Sequence, residues 1–167
     1  MSGDLHELLS HDHERLDGLL ARALSGDVVD LQSYEEFRRG LLRHIGIEEK
    51  ILFPEIRRRR GAWPVEQQLH RDHAVLAALL VPPPTAAEIE TIRQILLQHN
   101  PLEEDAGGLY EMAEQLVGVD LTEIVARVRA FPEVSLAPHA DTPVVRRAIK
   151  QLLREAAEGR RQLLGDS

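Results

Sequence analysis

The chain has no cysteine, which excludes disulfides, thiol nucleophiles, Cys-ligated zinc and iron–sulfur clusters. It has no excess of positive charge either. Lys and Arg number 20 against 28 Asp and Glu, for a net charge of −8, and phosphate binding needs a basic face. No apolar run approaches the ~18–20 residues of a membrane-spanning helix. The start, Met1 to His6, lacks the basic region of a signal peptide. A cytoplasmic protein with neither nucleic acid nor membrane as partner is the expectation. Aromatic residues make up 4% of the chain, while Leu, Ala and Arg abound, which favours helices over sheets. At 167 residues there is enough chain for one compact core that buries roughly 70% of the unfolded surface. What is plentiful is histidine: eight residues against three Phe, two Tyr and one Trp.

Helical periodicity recurs throughout, without a convincing alternating strand. A first helix is expected from a cap at Asp4 to about Leu24, broken by Ser25-Gly26-Asp27. A second runs from about Leu31 to Arg60 and stops at Gly61-Ala62-Trp63-Pro64. A third opens at Pro64 and ends before Pro82-Pro83-Pro84. Thr85-Ala86-Ala87-Glu88 reads as a capping box for a fourth, which passes Pro101 and breaks or kinks at Gly107-Gly108. Asp120 to Glu123 caps a short helix to about Ala130, an irregular stretch covers 131–141, and Thr142-Pro143 opens a last amphipathic helix to about Leu164. Short links between long amphipathic helices predict an all-α fold: an up-down-up-down antiparallel four-helix bundle over 1–118, with a C-terminal helical extension over 119–167 packed on or beside it.

An internal repeat cuts across this plan. Asp12-His13-x-x-Leu16 is echoed by Asp72-His73-x-x-Leu76, and His44-x-x-x-Glu48-Glu49 by His99-x-x-x-Glu103-Glu104. Positions i and i+4 differ by only about 40° around a helix, so each His-x-x-x-Glu pair shares one face. That face is the apolar one: Leu9, Leu16 and Leu20 around His13, Leu41 and Ile51 around His44 and Glu48, Leu69, Leu76 and Leu80 around His73, Ile92, Ile95 and Leu102 around His99 and Glu103. All six polar side chains would point into a bundle core. Two buried carboxylates without partners cost several kcal/mol, and no Lys or Arg falls near them on these stripes. Bound cations turn these groups into ligands. Nitrogen and oxygen donors without sulfur suit iron, manganese or zinc, and four His with two carboxylates able to bridge is a set for a pair of ions.

These residues resemble the hemerythrin-like HHE cation-binding family. Asp12-His13, His44-x-x-x-Glu48-Glu49-Lys50-Ile51-Leu52-Phe53-Pro54, Asp72-His73 and His99-x-x-x-Glu103-Glu104 carry the resemblance over about residues 4–116. It implies a four-helix bundle around a non-haem di-iron centre (Fe2+/Fe3+ with a bridging oxo or hydroxo group, Mn or Zn as alternatives). His13, His44, His73 and His99 would be terminal ligands, and Glu48 and Glu103 bridging carboxylates. The oxygen carriers of the family use five histidines, with His-x3-His on the third helix. Here His70 and His73 stand three apart, so His70 is a candidate fifth ligand or a supporting neighbour. Glu104 is a further candidate, presented in place of Glu103 if Pro101 shifts the register. One histidine fewer opens a coordination position and favours a more reactive centre over simple oxygen carriage. The Leu-Phe/Tyr-Pro run expected after Glu104 is displaced to Leu109-Tyr110, with no Pro following.

Elsewhere plainer readings prevail. His6 is expected at a boundary and His11 in solvent, while Glu49 and Glu104 point about 140° from their histidines and read as surface groups. His139 reads as a loop histidine, with a lid over the site as the sharper alternative. Arg57 to Arg60 reads as a solvated cationic helix end. The apolar side of the final helix, Val144, Val145, Ala148, Ile149, Leu152 and Leu153, packs on the bundle or meets a second copy or a partner protein. The functions in view are a di-iron protein that reacts with or senses O2, peroxide or NO, with enzymatic turnover left open; a metal- or oxygen-state-dependent binding module acting through its last helix; and an iron-handling or iron-centre repair protein. Repair ranks last, because the repair proteins carry a cysteine-containing region.

Overall fold

The computed structural model describes residues 3–165, so the outer ends of the two expected units, 1–2 and 166–167, lie outside it. The fold is all-α. Helix α1 spans Asp4–Ala23, α2 Leu31–Ile47, α3 Phe53–Arg60, α4 Glu66–Leu79, α5 Ala86–Glu104, α6 Leu109–Val117, α7 Leu121–Arg129 and α8 Pro143–Gly165. The antiparallel core bundle is built from α1, the α2–α3 rod, α4 and α5 with its continuation α6, and α8 is a distinct C-terminal helix lying along α4. No described helix is long and apolar enough to cross a membrane.

Helix α2 passes into α3 through a π-helical segment, Glu48–Leu52. Pro54 explains its position: it has no N–H to give to the carbonyl of Lys50, and its ring crowds that carbonyl in a regular helix. A wider turn removes the clash and keeps the rod continuous. The break after α5 rests on two glycines. Gly107 has φ +79°, and a Cβ on Gly108 would stand 2.8 Å from three backbone oxygens, so the turn closes tightly enough to place α6 against α1 and α3.

Several expected caps are made by other groups. The N-cap of α1 is Gly3, not Asp4; the Glu114 carboxylate on α6 accepts from the amides of Gly3 (3.2 Å) and His6 (3.0 Å). Thr85 does accept from the Glu88 amide at 3.2 Å, but the Glu88 carboxylate pairs with Arg146 of α8. Asp120 caps nothing with its side chain and takes Arg59 at 2.8 Å. The third helix starts at Glu66, two residues past Pro64. At the start of α1, at Glu88 and at Asp120 the partner is a side chain from a distant element, which nothing in the nearby sequence marks.

The stretch after α7 is an extended strap along α2. The Arg43 guanidinium holds the Phe131 carbonyl at 2.8 Å, Arg38 holds that of Ala137 at 2.8 Å, and His139 bonds Val81 and Glu35. The strap delivers α8 to the far end of the bundle. From there α8 returns along α4, burying Ile149, Ala156 and Gly159, while Val144 and Ala148 stay exposed. A Cβ on Gly159 would meet Gln68 and Arg71 of α4 within 2.5 Å, so glycine sets how closely the two helices approach.

Glu114→Ala should lower stability by about 1 kcal/mol through loss of the α1 cap, read as a shift in denaturant midpoint, and Asp4→Ala by less than half of that.

Candidate metal centre

The core is divided by a polar layer. One apolar cluster holds Leu5, Leu9, Ile47, Ile51 and Leu69; the other holds Leu16, Leu20, Leu41, Leu76 and Ile92. Between them lie His13, His44, Glu48, His73, His99 and Glu103, all buried, with Glu48 and Glu103 at 0% exposure. The helix faces that the spacing predicts are the ones the structure shows. Ligand atoms of His13, His44, Glu48 and Glu103 lie within 4.8 Å of one another, and so do those of Glu48, His73, His99 and Glu103. These are two clustered His/Glu metal-binding sites sharing both carboxylates.

Each imidazole is fixed from behind by a carboxylate on its Nδ1. His44 donates to Asp12 at 2.8 Å, His99 to Asp72 at 3.0 Å, His73 to Glu49 at 2.7 Å, and His13 to Glu104. With Nδ1 carrying the proton, every Nε2 turns a lone pair to the centre, as a metal ligand requires. The pattern follows the repeat. The Asp of each Asp-His pair holds the histidine on the second helix of its own half. The second Glu of each Glu-Glu pair holds the histidine on the first helix of the other half. Asp72 in turn accepts from Gln68 (2.9 Å) and from Arg160 of α8 (2.7 Å), and Asp12 from Arg15 (2.8 Å).

The interior of the layer does not satisfy itself. Glu48 Oε2 and His73 Nε2 face each other at 3.0 Å, yet neither makes a hydrogen bond, and Glu103 Oε1 makes none. The Tyr110 hydroxyl stands 2.7 Å from Glu48, 2.9 Å from Glu103 and 3.1 Å from the Nε2 atoms of both His44 and His13. A phenol donates one hydrogen bond and accepts two, so four such neighbours exceed its capacity. Among the described residues no Lys or Arg pairs with Glu48 or Glu103. Among the described Lys and Arg residues, only Arg15 and Arg160 pair with the six carboxylates of the layer and its shell, which leaves a deficit that two divalent cations would fill. Orphaned buried atoms, the tautomers and the charge all fit metal binding.

Without a metal, protons take up part of this role. Burial disfavours a charged His44, but Glu48 beside it and the Asp12 hydrogen bond outweigh that and raise its pKa to about 10. His99 is raised to about 10 in the same way, by Glu103 and Asp72 against burial. Burial would raise Asp12 and Glu48, yet both are lowered, Asp12 to about 2, chiefly by His44. Tyr110 is pushed well up by burial and by the two carboxylates.

The remaining sequence candidates fall outside the two clusters. His70 is half-exposed and bonds Glu49 at 2.9 Å. Pro101 leaves the α5 register intact, so Glu103 faces in and Glu104, 32% exposed, braces His13. His11 is in solvent. His139 pins the strap beside Glu35, about 13 Å along α2 from His44, and does not cover the site. Arg57 to Arg59 are ion-paired rather than merely solvated. For Asp12, Asp72 and Glu49 the sequence holds one signal, their place in both halves of the repeat, but not the histidines they meet. Tyr110 carries no such signal, since it belongs to the displaced Leu109-Tyr110 pair.

Comparison with family models finds the Hemerythrin HHE cation binding domain over residues 4–106. Neither the curated proteins nor the solved structures gave a match.

In chelator, the raised pKa values of His44 and His99 give stability that is fully present below pH 6.5 and lost as pH rises through about 10. The lowered Asp12 gives stability that is present above pH 3.8 and lost as pH falls through about 2. The melting temperature of the chelated protein should therefore fall steadily from pH 6.5 to 10; a flat or rising profile would contradict the imidazolium–carboxylate pairing.

Proposed function

Because this chain belongs to the hemerythrin HHE cation-binding family, we propose that it is a non-haem di-iron protein that reacts with or senses O2, peroxide or NO. In this reading His13, His44, His73 and His99 are terminal ligands, and Glu48 and Glu103 bridge. The observation that carries it is that both carboxylates belong to both clusters, so each can span two ions. Two irons held this way would supply electrons to a small oxidant; nitrogen and oxygen donors also accommodate Mn or Zn.

The chain's own residues do the rest. Asp12, Asp72, Glu49 and Glu104 fix the imidazole rings and raise their basicity. The apolar layers above and below keep bulk water and large reductants away. A cavity of about 240 Å³ between α1 and α5 reaches the wall of the site at His13, with Leu16, Leu97, Asn100 and Glu104 around it. It is large enough to admit a diatomic molecule or peroxide. A cytoplasmic location is part of this reading.

A second reading, state-dependent binding through α8, is favoured by one chain of contacts: Arg160 on α8 bonds Asp72, and Asp72 bonds His99. A change of charge at the site then reaches the C-terminal helix and the partner or second copy it would meet.

Anaerobic loading with Fe(II) should give two irons per chain. Glu48→Ala and Glu103→Ala should each abolish the pair, and Asp72→Asn should weaken binding about 10–100-fold; a folded wild-type chain that takes up no iron would end the proposal. Many equivalents of peroxide consumed per chain mark an enzyme, a single equivalent a sensor. For the second reading, metal loading should change proteolysis within 131–141, and Arg160→Ala should abolish that change.

A further inference from the structure

Tyr110 lies on no part of the repeat that carries the six buried ligand-type residues. It is brought in by α6, after the Gly107-Gly108 turn, and it is fully buried. Its oxygen stands 2.7, 2.9, 3.1 and 3.1 Å from one atom each of Glu48, Glu103, His13 and His44. These four residues are one complete cluster. Donors about 2.1 Å from a six-coordinate ion stand about 3 Å apart when adjacent. The Tyr110 oxygen therefore has the spacing of a donor adjacent to all four others around one ion, whereas as a phenol it cannot satisfy four neighbours.

The other cluster provides an internal comparison. Phe53 comes five residues after Glu48 and Tyr110 seven after Glu103, each just after a leucine. Phe53 stacks on His73 with ring centres 5.6 Å apart; Tyr110 lies 5.8 Å from the ring of His13. One aromatic ring thus packs beside each cluster, and of the two only Tyr110 carries an oxygen.

We propose that the Tyr110 phenolic oxygen is a fifth protein donor to the ion held by His13, His44, Glu48 and Glu103. The proposal rests on the dimetal reading above. As the oxygen–metal bond forms, the phenolic O–H bond breaks and its proton leaves to solvent; no electron moves. Two carboxylates oppose a phenolate on their own, and a pair of divalent cations reverses that balance. The two ions are then unlike: one is closed by Tyr110, and the other, beside Phe53, keeps a position for an incoming small molecule.

The test is the visible absorption and resonance Raman spectrum of the full chain, loaded with Fe(II) and oxidised in air. A tyrosinate-to-ferric band is expected, with ring modes that shift when the chain is grown on ring-deuterated tyrosine. The chain has two tyrosines, so the band should persist in Tyr34→Phe and be lost in Tyr110→Phe, which still binds two irons. If Tyr110→Phe does not fold, persistence in Tyr34→Phe with the isotope shift makes the same assignment. Two bound irons without tyrosinate modes, or a band that survives in Tyr110→Phe, would overturn this proposal and leave the dimetal site standing. A wild-type chain that binds no iron would overturn both.

Discussion

Two carboxylates, Glu48 and Glu103, sit at the centre of a helical core with no exposure and, among the described residues, no Lys or Arg paired with them. Such groups are costly to bury, and much of the surrounding architecture reads as a response to that cost. Four imidazoles face them, each turned to present Nε2 by a carboxylate behind it. Those outer carboxylates are in turn met by Arg15, Arg160, Gln68 and His70. The arginines enter only at the outer step, and the innermost step is the one that protein groups leave incomplete.

The bracing also ties the two halves of the chain together. Asp12 and Asp72 each brace a histidine of their own half, whereas Glu49 holds His73 and Glu104 holds His13, so two of the four outer hydrogen bonds cross between halves. The bulge at Glu48–Leu52 and the turn at Gly107-Gly108 occupy corresponding places after the two inner carboxylates. Each lets the chain depart from regular helix just past a buried ligand-type residue and bring an aromatic ring back against it. Irregular helical geometry of this kind is frequent at functional sites.

The C-terminal extension is part of the same electrostatic system. The strap along α2 carries the chain from one end of the bundle to the other, and α8 then returns to place Arg160 on buried Asp72. Without Arg160, Asp72 would be a buried carboxylate held by Gln68 and His99 alone. The last helix therefore contributes to the site's charge through Asp72.

The sequence by itself determined the helical class, the bundle and the six inward-facing residues. Helical periodicity is local: once His44 and Glu48 lie on an apolar stripe, any helix that buries the stripe buries them. The same locality explains what it left open. The brace on His13 comes from a residue 91 positions away, and the α1 cap from one 108 positions beyond His6. The ring oxygen among the ligands belongs to Tyr110, outside the repeat altogether. Glu49 and Glu104 read as surface groups because their angle on the helix points away from the core; only the neighbouring helix supplies the histidines they meet. Which residues face inward follows from a 3.6-residue period, but which inward and boundary groups meet depends on how separate helices are set against one another, and that only the tertiary structure decided.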